Sequence, residues 1–235
     1  MPKIKVLHLS MTKSIGGIAS FQKNLFDNID KTSFAFEFVS TYPNAALAEY
    51  FENAGAVVHK LPPQKTVLPY CTALFKLLKK QKYNIVHIHK NSCANPLAFL
   101  VCALAGVKIV CHSHNTKAVG GKAADLAHYI FRPFVKRASA VWAACSAEAG
   151  VWLYGKKAVK SGKVVVVKNG INLPSFAYNT AVRNKARAQL NLQNALIIGH
   201  VGNYIPQKNH KFIIDIFAQI AKSKPNSALL LVGRG

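Results

Sequence analysis

Two histidines, His87 and His89, alternate with apolar residues in the short segment NIVHIHK. Alternate residues of a β-strand point to the same face, so the two imidazoles are predicted to lie side by side. Imidazole is a common zinc ligand, but no carboxylate lies near these histidines in the sequence to complete a ligand set. Polar residues at the end of a strand are therefore the favoured interpretation, and a metal site is the alternative.

A second group of polar residues, His112, His114 and Asn115, closes the next apolar segment of this kind. Near neutral pH an imidazole can donate a hydrogen bond to a sugar hydroxyl or interact with a phosphate group. A histidine that only caps a loop is the competing interpretation. The residue types alone leave both interpretations open.

A pair of glycines, Gly16 and Gly17, follows the first apolar segment and precedes a stretch with helical spacing of apolar residues. Glycine lets backbone N–H groups approach a phosphate or sugar closely, and a helix N-terminus favours an anion. The pattern is not G-x-G-x-x-G, so a plain tight turn is an equally good interpretation.

Alternating strands and helices must position these residues. Near-continuous apolar strands such as IVHI, KIVC and VVVV are typical of a parallel sheet that is covered on both faces. The predicted fold class is α/β, a doubly wound, Rossmann-like sheet of about seven strands that ends near Asn169, with ligands at the carboxyl ends of the strands. Helices are predicted over residues 18–29, 45–54, 68–80, 96–105, 122–137, 146–154 and 210–222, and Ser146 is the expected N-cap of the sixth.

The domain organisation follows from the same pattern. Residues 1–169 are predicted to form the first domain, residues 170–194 a linker, and residues 195–235 the beginning of a second Rossmann-like domain. Two strands and one helix cannot cover the apolar strand ALLLV on both faces. We therefore expect a chain that is truncated in its second domain.

The charge of the chain is strongly unbalanced, with 31 Lys and Arg against 8 Asp and Glu, a net charge of +23. Residues 1–52 are neutral, and residues 53–124 contain no acidic residue at all. Such a surface attracts polyanions, whether nucleic acid, anionic lipid or phosphorylated metabolites. No helix-turn-helix or RNP signature supports nucleic acid as the partner.

The location expected from the sequence is the cytoplasm. The longest apolar stretch, residues 97–107, is too short to span a bilayer, and the N-terminus does not resemble a secretory signal. Five cysteines without a C-x-x-C pair indicate reduced thiols rather than disulfides or a zinc site. Residues 67–82 and 122–137 combine apolar and basic residues at helical spacing, which favours peripheral binding to the inner face of the cell membrane.

Three segments give the sequence a specific likeness: HSHNT at 112–116, VVVKNGIN at 165–172 and GHVGNYIPQKN at 199–209. Together with the Gly-Gly loop, the V-H-I-H strand and A-C-S-A before a helix, they occur in a family-like order. The chain resembles the bacterial glycosyltransferases of family 4, which have two Rossmann-like domains (the GT-B architecture) and serve in capsule and exopolysaccharide assembly.

The resemblance implies roles for particular residues. His114 matches the family's active-site histidine, which contacts the sugar or positions the reacting groups. The loop at Gly16 and Gly17 would lie near the donor diphosphate and the acceptor. Lys208 matches a lysine that binds the donor diphosphate. The family's arginine, directly after Gly202, is replaced here by Asn203, which can donate a hydrogen bond but carries no charge.

Further implied features complete the expected site. Asn115, Asn169 and Gly170 are predicted to line it, and the family's E-x7-E element lies beyond residue 235. No metal and no cofactor are expected, because the donor, a UDP- or GDP-linked sugar, is a substrate.

The predicted function is therefore retaining transfer of a hexose from a nucleotide sugar to a lipid-linked saccharide acceptor in cell-surface polysaccharide biosynthesis. The predicted partners are the nucleotide sugar, the lipid-linked saccharide and an anionic membrane surface, and no nucleic acid. A catalytically inactive glycosyltransferase fragment is one alternative, since the given chain is expected to lack activity alone. A basic Rossmann-type protein that binds nucleotides or nucleic acid is another. A dehydrogenase is disfavoured, because the second strand ends in Val39-Ser40-Thr41 without an acidic residue for a ribose.

Overall fold

The structure is a computed structural model, and it describes residues 2–117 and 121–234. The chain divides into two compact units, which we call the N-terminal unit (up to Ile171) and the C-terminal unit (from Asn172). Each unit contains a parallel sheet of its own.

The N-terminal unit has a sheet of seven parallel strands in the order β3-β2-β1-β4-β5-β6-β7. The strands are β1 Ile4–Leu9, β2 Phe34–Ser40, β3 Val57–Lys60, β4 Ile85–Lys90, β5 Lys108–Ser113, β6 Val141–Ala144 and β7 Val164–Val166. The chain winds outward from β1 to β3, then returns to place β4 on the other side of β1. In such sheets the point where the winding direction reverses is where ligands bind.

Seven helices connect or follow these strands. They are α1 Gly17–Asn28, α2 Ala48–Asn53, α3 Val67–Gln81, α4 Leu97–Ala105, α5 Gly121–Ala138, α6 Ala147–Tyr154 and α7 Lys156–Lys160. Helices cover both faces of the sheet. Phe26 of α1 packs in a core cluster with Val6, whereas Leu74 of α3 and Phe99 of α4 pack in a second cluster with Leu7. Since Val6 and Leu7 point to opposite faces of β1, the predicted doubly wound α/β fold is confirmed.

Most of these helices lie close to the positions that local sequence patterns predicted. Ser146 caps α6 as expected, with its Oγ accepting a hydrogen bond from the backbone N–H of Ala149 at 3.2 Å. Two predictions were wrong in detail. The second helix begins at Ala48 rather than at residue 45, after Leu47 in the left-handed region at φ 65°. The short helix α7 was not predicted.

The C-terminal unit contains two parallel strands, β8 Leu196–Val201 and β9 Ser227–Val232, which pair from Leu196 with Ser227 to Val201 with Val232. Its helices are α8 Leu173–Phe176, α9 Thr180–Gln189 and α10 His210–Ser223, and Pro206–Lys208 forms one 3-10 turn. The helix α10 packs against β9. This strand–helix–strand unit matches the elements predicted from residue 195 onward.

Two further features bear on the sequence predictions. None of the helices in the described part of the chain is long and apolar enough to cross a membrane. All five cysteines are free: Cys93, Cys102 and Cys111 are buried, and Cys71 and Cys145 are half-buried.

Candidate active site

Five histidines converge near the carboxyl ends of three neighbouring strands. The register pairs His8 of β1 with His87 of β4, and His89 of β4 with His112 of β5. His114 follows two residues after His112 and therefore lies on the same face. We call these five residues the histidine cluster. His87 and His89 are polar residues at the end of a strand, as the sequence favoured, and they also belong to a larger group.

Hydrogen bonds between ring nitrogens link the histidine cluster. His89 occupies the centre, with its Nε2 3.2 Å from Nδ1 of His8 and its Nδ1 2.9 Å from Nε2 of His114. Beside this row, Nε2 of His87 lies 3.3 Å from Nδ1 of His112. A neutral imidazole has one donor and one acceptor nitrogen, so the tautomer of each ring in the row determines that of the next.

Burial keeps the histidine cluster neutral. Desolvation is the main cause that lowers the pKa of His8 to about 3, of His112 to about 2 and of His114 to about 4, and neighbouring histidines add to the effect at His8 and His112. The pKa values of His87 and His89 are also lowered, first by burial and then by the other histidines. At neutral pH these rings therefore act as hydrogen-bonding groups and not as cations.

Helix α1 holds the histidine cluster from the side. The ring of Phe21 meets His112 edge-on, with centroids 4.6 Å apart, and it makes similar edge contacts with His114 at 5.3 Å and His89 at 5.7 Å. Because α1 begins at Gly17, the packing of Phe21 also fixes where the Gly-Gly loop lies relative to the strand ends.

Neither the backbone conformation nor the packing of the described residues requires glycine at Gly16 and Gly17. Gly16 is the N-cap of α1 with extended backbone, and neither residue has a positive φ. A Cβ built on either glycine would find no atom within 4 Å among the residues that the structure describes. This open space is compatible with a ligand that approaches the backbone closely.

His114 is the histidine of the cluster that follows the end of β5. Its backbone N–H bonds to the carbonyl of Lys90, which ties the loop after β5 to the end of β4. Its Nδ1 has no hydrogen-bond partner within residues 2–117 and 121–234. If His8 donates to His89 and His89 donates to His114, the proton of His114 lies on this Nδ1, which is a buried donor without a partner among these residues.

Of the remaining predicted residues of the N-terminal unit, Asn115 is half-buried, and Asn169 and Gly170 are exposed. The side chain of Asn115 accepts a hydrogen bond from the backbone N–H of Thr116 at 2.8 Å. Gly170 is bound to α1, since Nδ2 of Asn24 donates to its carbonyl oxygen at 2.5 Å. Asn169, next to it, is exposed. The segment that carries Asn169 and Gly170 is therefore anchored to the helix that begins at the Gly-Gly loop.

In the C-terminal unit, the side chain of Lys208 lies over the backbone of Gly202. A Cβ at Gly202 would lie 3.2 Å from Cε of Lys208, closer than ordinary van der Waals contact. Lys208 ends the 3-10 turn that precedes α10, and Asn203 is exposed beside Gly202. A cation near a helix N-terminus can neutralise a phosphate group.

A metal ion is one possible ligand of the histidine cluster. Two groups of three, His8 with His87 and His89, and His89 with His112 and His114, have one ring nitrogen each within 4.8 Å of the others. Neither group includes a carboxylate. Within residues 2–117 and 121–234, three ring nitrogens of the cluster have no hydrogen-bond partner: Nε2 of His8, Nε2 of His112 and Nδ1 of His114. A hydrogen-bonded network and a metal site are therefore both compatible with these contacts.

Sequence reasoning missed His8 and did not include His112 among the site residues. The available signal was the period of two that His112 shares with His114. Nothing in the local sequence marks His8, because its role depends on the pairing of β1, which ends at Leu9, with β4, which begins only at Ile85.

Comparison with known proteins gives a consistent assignment. The sequence profile of glycosyltransferase family 4 matches residues 15–174. EpsF of Bacillus subtilis (strain 168), which is named as a glycosyltransferase, is 30% identical over 98% of this chain. The Escherichia coli enzyme UDP-Gal:alpha-D-GlcNAc-diphosphoundecaprenol alpha-1,3-galactosyltransferase is 23% identical over 99% of it. The chain spans 62% of the length of each of these relatives.

Solved structures share the fold at low sequence identity. The structure of HepE from Anabaena in complex with UDP and glucose matches 99% of this chain with a TM-score of 0.76 and 15% identity. A glycosyltransferase from Rickettsia africae matches 99% with a TM-score of 0.71 and 15% identity. This chain covers 61% of each of those chains.

Proposed function

The chain belongs to glycosyltransferase family 4, and from this membership we propose that it serves in sugar transfer from a nucleotide-sugar donor to a lipid-linked saccharide acceptor. The proposed context is the biosynthesis of a cell-surface polysaccharide, with retention of the configuration at the transferred carbon. The E. coli relative, which by its name transfers galactose to a diphosphoundecaprenol-linked sugar, supports both substrate classes.

The observation that carries the proposal is the arrangement of His114. Its neutral imidazole bonds to His89 through Nε2, and its Nδ1 is buried without a partner in the described part of the chain, which costs free energy unless a ligand supplies one. Such a group suits a hydrogen bond to a sugar hydroxyl or a phosphate oxygen and does not need to titrate near neutral pH. We assign His114 as the catalytic residue of the N-terminal unit, with Asn115, Asn169 and Gly170 near the same substrate.

The donor is assigned to the C-terminal unit. Lys208 would bind the diphosphate of the nucleotide sugar, with Gly202 providing room for its side chain and Asn203 donating a hydrogen bond in place of a charge. In transfer, the bond between the sugar's C1 and the diphosphate breaks, a bond from C1 to the acceptor hydroxyl oxygen forms, and the proton of that hydroxyl passes to the departing diphosphate. Stabilising the departing diphosphate and positioning the reactants are the contributions that these residues can make.

We also propose that the protein binds the surface of the inner membrane, where a lipid-linked acceptor resides. The surface of the N-terminal unit supports this: large apolar side chains on the adjacent helices α4 and α5 are exposed, among them Leu104 (68%), Leu126 (63%) and Ile130 (61%). In the other predicted segment, Leu74 and Leu78 of α3 are buried in the core, whereas Leu68 is 79% exposed. Bases on α5, including Lys122 and Arg137, complement anionic lipid.

The direct test is a transfer assay with radiolabelled UDP- and GDP-sugars and lipid-linked saccharides as acceptors. It is run on the 235-residue chain and on a chimera that continues it with the part of EpsF that this chain does not match. Formation of a longer lipid-linked saccharide, with the anomeric configuration of the donor kept in the product, supports the proposal. Failure of both proteins to transfer from any donor would contradict it.

A further inference from the structure

A cavity of about 810 Å³ opens near the carboxyl ends of β1, β2 and β4 in the N-terminal unit. Its wall includes residues of the loop after β1, of the segment that precedes α3 and of the loop after β4. This is the point where the winding of the sheet reverses, and His89 of the histidine cluster forms part of the wall. The size suits a ligand of several linked groups rather than a single water molecule or ion.

The charged groups of this cavity all have the same sign. Lys13, Lys65 and Lys90 line it, and among the described residues in its wall there is neither an aspartate nor a glutamate. None of the ion pairs within residues 2–117 and 121–234 includes any of these lysines. We call this cavity the lysine pocket.

Lys90 is the most informative of the three. Its Nζ donates a hydrogen bond to the carbonyl oxygen of Asn95 at 3.0 Å, and burial lowers its pKa. Within residues 2–117 and 121–234 this carbonyl is the only hydrogen-bond partner of the ammonium group, which has thus lost solvation without gaining a counter-ion there. An anion in the pocket would supply the missing partner.

Uncharged donors complete the wall. Asn95 and Gln64 are fixed against each other, since Nδ2 of Asn95 donates to Oε1 of Gln64 at 3.0 Å. Ile18, in the first turn of α1, also lines the pocket, and that turn contains no acidic residue and no side-chain cap. The positive end of α1 therefore adds to the field of the lysines.

Backbone strain coincides with the pocket. Ser10, which follows β1 and forms part of the wall, has φ 75°, a left-handed conformation that is uncommon for a residue other than glycine. Such strain costs free energy and persists where the surrounding structure imposes it, which is frequent at binding sites.

We propose that the lysine pocket binds the diphosphate group of the lipid-linked acceptor. This proposal rests on the proposed function for the identity of the ligand, but the recognised chemistry, a phosphate or diphosphate ester, follows from the pocket itself. Three lysines, amide donors and a helix N-terminus suit two to three negative charges, and the volume leaves room for the first sugar attached to the diphosphate.

The test measures binding to the 235-residue chain directly, by titration calorimetry, without turnover. Four probes separate the sources of the phosphate: GlcNAc-diphosphofarnesol, the same glycolipid without its diphosphate, inorganic pyrophosphate, and UDP. At this pocket, we expect the glycolipid with its diphosphate to bind at least tenfold more tightly than each of the other three probes. Its affinity should fall as the salt concentration rises.

Paired variants locate the site. Lys13→Gln with Lys65→Gln removes two exposed charges of the pocket, and Lys90→Gln removes the half-buried one. Lys60→Gln with Lys108→Gln is the matched control, since both lysines are exposed on the same unit outside the pocket. We expect the Lys13 and Lys65 pair to weaken glycolipid binding at least tenfold, the control pair to leave it unchanged, and UDP affinity to be unchanged in both.

Other results would overturn the assignment. An equal loss in the control pair would indicate attraction by net charge alone, and equal affinity for pyrophosphate would indicate a site for free phosphate. Loss of UDP binding by the same factor would place the donor in the pocket. Because Lys13 and Lys65 are exposed, their replacement is not expected to affect folding, so this pair remains informative if Lys90→Gln does not fold. If the chain transfers sugar but the glycolipid does not bind at the lysine pocket, only the assignment of the acceptor diphosphate to this pocket is refuted. If the glycolipid binds there but no sugar is transferred, only the proposed function is refuted.

Discussion

His89 and His114 face each other through their ring nitrogens, with Nδ1 of His89 2.9 Å from Nε2 of His114. The contact joins the interior of the sheet to the candidate active site, because His89 is buried and also bonds to the fully buried His8. His89 therefore acts as a positioning residue that orients the ring of His114 and sets which of its nitrogens carries the proton. Comparable partners fix the tautomer of histidines in other active sites.

The two nitrogens of His114 are expected to have separable roles. Asparagine can place an N–H group near the position of Nδ1, and glutamine can place one near that of Nε2. If Nδ1 is the group that contacts substrate, His114→Gln should lower kcat by about 10²-fold or more, whereas His114→Asn should retain more of the activity. Transfer rates at saturating donor measure the difference.

The control for this comparison is His128→Gln. His128 is a buried histidine of the same unit that stacks on Trp152 at 4.0 Å, outside the histidine cluster. It is expected to change the free energy of unfolding more than the transfer rate. Equal activity of the two His114 variants would argue against the assignment of Nδ1.

The histidine cluster should also make stability depend on pH. The pKa of His8 in the folded chain is about 3, below the ordinary value of 6.5, so the unfolded chain binds more protons between these values. The free energy of unfolding is thus expected to be highest, as far as these histidines determine it, above about pH 6.5. It should decrease as the pH falls to 5. The decrease is up to ~1.4 kcal/mol per pH unit for each histidine that stays neutral in the folded state.

Urea unfolding at pH 7.5, 6 and 5 measures this dependence, since carboxylates mostly remain ionised over that range. His8→Phe removes one titrating group and should make the dependence shallower. A free energy of unfolding that does not vary between pH 7.5 and 5 would refute a neutral, buried cluster.

Prediction from sequence succeeded where the determining interactions are local. The cap of α6 depends on Ser146 and a backbone N–H three residues later, and both are visible in the sequence. The position of His8 beside His87 depends instead on strand order, which the alternation of elements leaves open. The same holds for Lys90, whose half-buried ammonium could be recognised only once β4 was placed in the centre of the sheet.

Gly202 and Lys208 give a prediction for the C-terminal unit. Lys208→Ala should weaken binding of UDP markedly and leave the melting temperature nearly unchanged, because an exposed lysine contributes little to packing. Gly202→Ala should have a smaller effect in the same direction, since its Cβ would lie 3.2 Å from Cε of Lys208 and displace that side chain. Calorimetric titration with UDP measures both, with Lys222→Ala, on the same unit, as the control.

At Asn203, a substitution is expected to increase the affinity for UDP. Asn203→Arg restores the charge that the family resemblance leads us to expect beside Gly202, and a charge-assisted hydrogen bond to a diphosphate should tighten UDP binding about tenfold. Gln193→Arg adds the same charge at an exposed position elsewhere in the unit. If both substitutions tighten binding equally, the effect is one of net charge and not of position.

The membrane surface gives the last prediction. Leu126 and Ile130 are one helical turn apart on α5 and are exposed by 63% and 61%, while the guanidinium of Arg132 lies 5.1 Å from the ring of Tyr129 on the same helix. Apolar side chains that enter the interface and bases that contact anionic headgroups would act together, each base contributing about 1 kcal/mol. Binding should therefore require anionic lipid, and it should decrease both with salt and with loss of the apolar side chains.

Sedimentation with vesicles distinguishes these contributions. The wild-type chain should sediment with phosphatidylglycerol vesicles and remain in solution with phosphatidylcholine vesicles. Leu126→Ser with Ile130→Ser should reduce the bound fraction at low and at high salt, whereas Lys122→Gln with Arg137→Gln should reduce it mainly at low salt, where the Debye length is long. Phe176→Ser is the matched control, because Phe176 is 73% exposed and lies in the C-terminal unit. Equal binding to both lipids would contradict a membrane surface on α5, because it would not depend on the charge of that helix. A loss of bound fraction in Phe176→Ser as large as that in the α5 variants would also contradict it, because the loss would not depend on the apolar residues of that helix.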